Sequence, residues 1–288
     1  MEIVWGTVVP VAAVVAVGAF LDARRGFDAA TLANLALWIT SPALLFSVLA
    51  DTSLDPGRLA TLAGGTLWVV AGTALLAGGW RGAFGPGRGF LLPAVFFNGG
   101  NMGLACARLA FGPAGLESGA VVFVTIALCT SFFGIWIAKG ENGLGEALRH
   151  PLLWGSAGGL GLAVSDTRLP PMLMEPISML GAMAIPLMLL NLGMQLRRLR
   201  VREVGHSLGA VAIRMGGGFG AGLVYVTLFG VGGVDRQVLL LTSAMPAAVI
   251  NAVLAERYGT DAGLVASSIV LGTLLSLLVI PAVLLFVT

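Results

Sequence analysis

The chain has 288 residues, of which 57% are hydrophobic and only 10% charged, and its mean hydropathy is +0.96. Soluble domains carry roughly 25% charged residues, so this composition belongs to a membrane protein. Sixteen Lys and Arg against fourteen Asp and Glu leave a net charge of +2, which gives no electrostatic basis for nucleic-acid binding. Cys106 and Cys129 sit in apolar runs far in sequence from His150 and His206, so no disulfide framework or metal-ligand spacing is expected, and no cofactor.

A spanning helix needs about 20 mostly apolar residues. In chain order such stretches run Ile3–Leu21, Ala29–Ala50, Leu59–Gly79, Phe90–Phe111, Ser118–Ala138, Leu152–Val164, Met172–Leu196, Ser207–Phe229, Val238–Leu254 and Ala262–Val287. The runs are continuous rather than alternating, which excludes a barrel and predicts an all-α membrane protein with ten transmembrane helices. Turn residues punctuate them, as in Leu54-Asp55-Pro56-Gly57, Gly85-Pro86-Gly87 and Leu169-Pro170-Pro171. The loops after spans 1, 3, 5, 7 and 9 hold eleven of the sixteen basic residues, and the opposite loops hold four, Arg58, Arg108, Arg168 and Arg236. Cytoplasmic loops carry the excess, so both termini are expected on the non-cytoplasmic side. Glu2 stands where a signal peptide would be basic, and no small-residue cleavage site precedes Asp22, so span 1 reads as structure.

Five spans per half force the halves into opposite topology. The expected organisation is a first repeat over 1–138, a cytoplasmic connector over 139–151 and a second, inverted repeat over 152–288. Pro42 in span 2 and Pro186 in span 7 lie 186 − 42 = 144 residues apart, half the chain length. Span 4 carries Asn98-Gly99-Gly100-Asn101 in its middle, and span 9 carries Met245-Pro246-Ala247-Ala248 with Asn251 at a similar offset. Adjacent glycines cost helix propensity and a mid-span proline removes a backbone bond, so both helices are expected to break there. Paired interruptions in corresponding spans point to a transporter's binding site at the membrane midplane. Each break creates a half-helix N-terminus whose free N–H groups attract a carboxylate, and Asn98, Asn101 and Asn251 add neutral donors and acceptors. Taken singly, each asparagine could instead simply join helices by hydrogen bonding.

Asn191 and Gln195, four apart in span 7, either line the path opposite the breaks or hydrogen-bond between helices. Gly216/Gly220 and Gly218/Gly222 in span 8 read as helix-packing pairs, because no strand precedes them to make a phosphate loop. Arg214 lies about nine residues into span 8, roughly 13 Å deep at 1.5 Å per residue. It must have a partner, and three roles stay open: attracting the anion, neutralising a helix C-terminus, or snorkelling to the surface. Glu175 and Arg108 fall nearer the outer interface, where a structural role is expected. No nucleophile–base constellation accompanies Ser131 or Ser243, so an enzyme is not expected.

The stretch Ala244-Met245-Pro246-Ala247-Ala248-Val249-Ile250-Asn251, followed by Val253-Leu254-Ala255-Glu256-Arg257-Tyr258-Gly259, resembles the crossover proline and Ala-x-x-Tyr ending of the auxin efflux carrier family. That family includes plant auxin exporters and bacterial carriers for malonate or malate. Asn98-Gly99-Gly100-Asn101-Met102-Gly103-Leu104 with Phe111-Gly112 is similar too. The resemblance covers the whole length and implies the fold of the bile acid sodium symporters: ten helices in two inverted five-helix repeats, with helices 4 and 9 broken and crossing. Helices 1, 2, 6 and 7 would form a scaffold, possessing the dimer contact, and helices 3–5 and 8–10 a transport domain moving as an elevator. A crossover asparagine contacts the substrate carboxylate in the family, a role that carries onto Asn98 with Asn101 as neighbour. The implied site is Asn98, Gly99, Gly100, Asn101, Pro246, Ala247 and Asn251, with Asn191, Gln195 and Arg214 as secondary candidates and no metal ligands.

This sequence departs from plant members at Ala105 and Asn251, where they have prolines, and lacks their long central loop, which argues against auxin itself. Pro246 stands where the bile acid symporters have an acidic sodium ligand, so sodium, proton or no coupling ion all stay open. The expectation is a secondary transporter of a small mono- or dicarboxylate, with a non-transporting sensor of the same anion as the alternative. Fifteen arginines against the single lysine, Lys139, suggest a GC-rich prokaryotic genome and hence a bacterial inner membrane.

Overall fold

The computed structural model describes residues 1–52, 56–140, 145 and 148–288. The expected turn at Leu54-Asp55 and residues 141–144, 146 and 147 of the 139–151 connector lie outside the described residues. Every element among the described residues is helical, and no β-strand occurs among them. Eleven elements follow in chain order: α1 Glu2–Arg25, α2 Ala29–Ala50, α3 Pro56–Phe84, α4 Leu91–Val95, α5 Gly99–Lys139, α6 Pro151–Val164, α7 Pro171–Arg198, α8 Gly205–Leu228, α9 Gly233–Ser243, α10 Ile250–Tyr258 and α11 Ala262–Val287.

Seven of them, α1, α2, α3, α5, α7, α8 and α11, are long and apolar enough to cross a membrane. The segment expected as span 4 is divided between α4 and the start of α5, and that expected as span 9 between α9 and α10. Spans 4 and 5 adjoin within α5 but are two helices: at Gly112, just before Pro113, φ is 68° and ψ −151°, so the backbone leaves helical geometry there. A left-handed φ at that bend is why glycine precedes the proline. The fourteen-residue α6 is too short to count by the same measure.

Local chemistry sets the helix boundaries. Gly26 ends α1 in a left-handed conformation, and Asp28 caps α2 by accepting from the Ala30 amide at 3.0 Å. Before Pro42 the helix widens into a π turn over Ala36–Thr40, and before Pro186 the helical bonding is interrupted at Met183. Each proline lacks an N–H and crowds the preceding turn, so the backbone adjusts on its N-terminal side.

Glycines bring one group of helices together. A methyl group at Gly18 would fall on the carbonyl of Leu190, and one at Gly193 on the carbonyl of Val15, so α1 and α7 touch backbone to backbone. Gly155 and Gly159 give α6 the same approach to α2 at Pro42 and Phe46. At one end of the α1/α7 pair, buried Asp22 accepts from Arg197 at 2.8 Å and Arg198 at 2.6 Å. In the remaining elements α3 packs against α5 and α8, and α9 against α5 and α8. There Asp235, in the first turn of α9, pairs with Arg58 at 2.6 Å and accepts from the Ser118 hydroxyl at 2.6 Å.

Candidate functional site

Both interrupted segments stop at the same place. The chain leaves α4 at Val95, runs extended through Phe96 and resumes helix at Gly99; it leaves α9 at Ser243 and resumes at Ile250. Phe97 and Ala247 form an antiparallel bridge, in which the Asn98 amide donates to the Pro246 carbonyl at 2.8 Å and the Ala248 amide to the Phe96 carbonyl at 3.0 Å. Backbone groups freed by the breaks thus satisfy one another, the condition for non-helical chain inside a membrane protein. Residues 92–100 and 241–249 are all buried.

Asn98 does three things at the crossing. Its side-chain oxygen accepts from the Asn101 amide at 3.1 Å and so caps α5, while its carbonyl accepts from the Gly103 amide at 2.9 Å. Its Nδ2 is buried without a hydrogen-bond partner. Asn251, fully buried in the first turn of α10, donates from Nδ2 to the Phe96 carbonyl at 3.0 Å and leaves Oδ1 unpartnered. Each asparagine therefore joins the two segments and retains one open polar atom, a donor at Asn98 and an acceptor at Asn251. Unpaired buried groups cost roughly 1–3 kcal/mol each, a cost that a bound polar solute would relieve.

The glycines permit this packing. A Cβ at Gly99 would lie 2.7 Å from Ile126, and one at Gly100 would lie 2.6 Å from Phe123, both on the same long α5. Pro246 and Ala247 supply the bridge itself, and Asn101 is half-buried one turn into α5. Asn191 is buried on α7, with its Oδ1 unpartnered, in the part of α7 that packs against the start of α5. Gln195 is half-buried one turn further on.

Arg214 does not snorkel. It is 0% exposed, and its guanidinium reaches the ends of both broken helices: Nη1 donates to the Val95 carbonyl at 2.6 Å and Nη2 to the Ser243 carbonyl at 2.9 Å. Nη1 also approaches the Thr73 hydroxyl at 3.3 Å, and the guanidinium lies 5.1 Å from the centre of the Phe97 ring. Val95 and Ser243 close α4 and α9, where helix carbonyls carry partial negative charge. A methyl group at Gly218 would strike Arg214, and one at Gly222 would meet the Ser243 side chain at 2.6 Å. Gly216 and Gly220 face open space, so only one of the two expected glycine pairs packs. Of the three roles open to Arg214, contact with a helix C-terminus is the one the structure bears out; sequence reasoning did not name Thr73, Phe97 or which carbonyls would be met. Backbone carbonyls carry no residue signature; only the depth of Arg214 announced that something must meet it.

The charges at the crossing are therefore unequal. The two C-terminal ends share a guanidinium, and the N-terminal ends of α5 and α10 face no acidic side chain within the described breaks, 96–98 and 244–249. Such an arrangement favours a negative solute.

A family model described as membrane transport protein matches residues 135–284, which is 150 of the 288 residues. An uncharacterized transporter of Methanothermobacter thermautotrophicus is 28% identical over 276 residues, 88% of this chain and 87% of the relative. An uncharacterized transporter of Methanocaldococcus jannaschii is 29% identical over 204 residues, 67% of this chain and 66% of the relative. With its transporter relatives and a crossing of two interrupted helices, this chain belongs to the membrane transport protein family, that of the auxin efflux carriers.

Proposed function

We propose that the protein is a secondary transporter of a small organic anion, a mono- or dicarboxylate, which binds where the two interrupted segments cross. The carrying observation is the pair of open polar atoms, Asn98 Nδ2 and Asn251 Oδ1, buried beside the N-termini of α5 and α10. A carboxylate accepts from an amide N–H and is attracted by helix N-termini, while a hydroxyl or protonated carboxyl can donate to Asn251. Neutral ligands hold the anion without a fixed counter-charge, which lets it leave again.

The topology that accompanies this reading has ten crossings in two inverted sets of five. Seven are the long helices, with α5 counted as the second half of span 4 and, beyond Gly112, span 5; α4 completes span 4, α6 is span 6, and α9 with α10 makes span 9. The glycine-packed α1, α2, α6 and α7 would be the scaffold, through which two copies pair, and α3–α5 with α8–α11 the moving transport domain. The membrane in this reading is a bacterial inner membrane, with both termini on its non-cytoplasmic side. Uptake of labelled malonate and malate into proteoliposomes tests the reading, with empty liposomes and Asn98→Ala as controls. Saturable uptake that Asn98→Ala reduces at least about tenfold supports it. Binding without flux in a counterflow assay would instead identify a sensor.

A further inference from the structure

We infer that Arg214 is the resident cation of the crossing: it ties the C-terminal ends of α4 and α9 together and supplies there the positive charge that a bound sodium ion would otherwise bring. Anion binding then needs no metal ion. The inference rests on the crossing as the anion's site and adds how that site is balanced.

In membrane carriers built on broken helices, C-terminal half-helix ends and unwound carbonyls are where coupling cations are held. Here one planar fork spans those ends, with Val95 at 2.6 Å and Ser243 at 2.9 Å. The carbonyls come from elements on opposite sides of the sequence midpoint, so one side chain joins both interrupted segments. Thr73, whose own hydroxyl donates to the Val69 carbonyl at 2.8 Å, offers its lone pair to Nη1. Phe97 stands 5.1 Å from the guanidinium with its ring toward it, and Gly218 leaves the space that Nη2 occupies. Among the described residues no carboxylate pairs with Arg214: its acceptors are the two helix-end carbonyls, whose partial negative charge attracts a guanidinium, and the Thr73 hydroxyl, while Nε has no hydrogen-bond partner. A lysine would bring a single ammonium and no fork.

A cation joined covalently to α8 cannot dissociate during a cycle, which separates it from an exchangeable coupling ion. It also leaves the positive N-termini of α5 and α10 uncompensated until the anion arrives. Arg214 is thus a positioning residue, acting through the two helix ends and not by touching the solute.

Thermal unfolding of purified protein tests this without any transported substrate. Wild type is expected to melt at the same temperature in sodium chloride and in choline chloride of equal ionic strength. Arg214→Ala is expected to melt lower, and millimolar guanidinium chloride is expected to raise its Tm by about 3 °C while leaving wild type unmoved. Absence of that rescue overturns the inference. Should Arg214→Ala not purify, the wild-type comparison decides: a sodium-specific rise in Tm, or a sodium requirement for malate or malonate uptake, overturns it, and equal behaviour in both salts supports it. If no carboxylate is carried at all, the transport reading falls while these melting results still stand.

Discussion

The Asn98 amide donates to the Pro246 carbonyl at 2.8 Å, joining the two interrupted segments from opposite halves of the chain. That bond fixes where α5 begins, and with it the direction in which the Asn98 side chain can act. The same side chain caps α5 through Oδ1 and holds Nδ2 free, so its structural and its proposed binding roles reside on different atoms.

The two roles can be separated by substitution. Asn98→Asp keeps an oxygen for the Asn101 amide but replaces the open donor with negative charge, whereas Asn98→Ala removes both. The expected outcome is near-normal thermal stability for Asn98→Asp with anion uptake abolished, and a loss of about 1 kcal/mol for Asn98→Ala from the missing cap. Melting curves and proteoliposome uptake on the same preparations check it. Full uptake by the aspartate variant would remove Asn98 from the site.

Gly218 and Gly220 lie two residues apart on α8 and should respond oppositely. Gly218→Ala places a methyl group against Arg214 and the Ser243 carbonyl, which displaces the fork from the crossing. Uptake is expected to fall by at least about tenfold, since small displacements of a site's supports have effects of that order. Gly220 meets open space, so Gly220→Ala should leave uptake unchanged and should not lower the melting temperature, since alanine favours the helix over glycine.

Backbone contact between α1 and α7 leaves no room for a side chain at Gly18 or Gly193. Gly193→Ala is expected to destabilise the protein by about 1–3 kcal/mol through overpacking. Because Val15 and Leu190 are met through their backbone atoms, no rotamer change relieves the clash. Comparing melting temperatures with Gly6→Ala, where nothing lies within 4 Å, isolates the effect.

Stability should also depend on pH through His150, which lies outside the long spans before α6. Burial holds its imidazole below the ordinary 6.5 in the folded protein. The unfolded chain therefore takes up the proton first as pH falls, so this contribution is complete above about pH 6.5 and is lost progressively below it. A melting temperature that declines from about pH 7 to about pH 5.5, with a shallower decline in His150→Gln, is the expected result.

Much of this follows from the residues alone. Gly99-Gly100 and Pro246 weaken a helix by local chemistry alone, so the breaks could be placed to within a few residues. Apolar runs located the long helices for the same reason: each depends on composition over its own length. The end of span 4 at Phe111 was equally legible, because Gly112, with φ 68° and ψ −151°, leaves helical geometry just before Pro113 and separates the two helical halves of α5. The expected pairing of Gly216 with Gly220 failed because small-residue spacing does not reveal which face of a helix has a neighbour.

Residue chemistry alone makes this a membrane protein with a helical chain, two of whose apolar segments could not remain helical throughout. Those properties follow from side-chain transfer, backbone propensity and proline's missing donor, which act within a few residues. That the two interruptions bond to each other, and that Arg214 closes the ends of both, emerges only when the chain is folded. Such choices are made by carbonyls and amides that every residue carries, and a buried charge finds its partner by distance in space, which no spacing along the chain records.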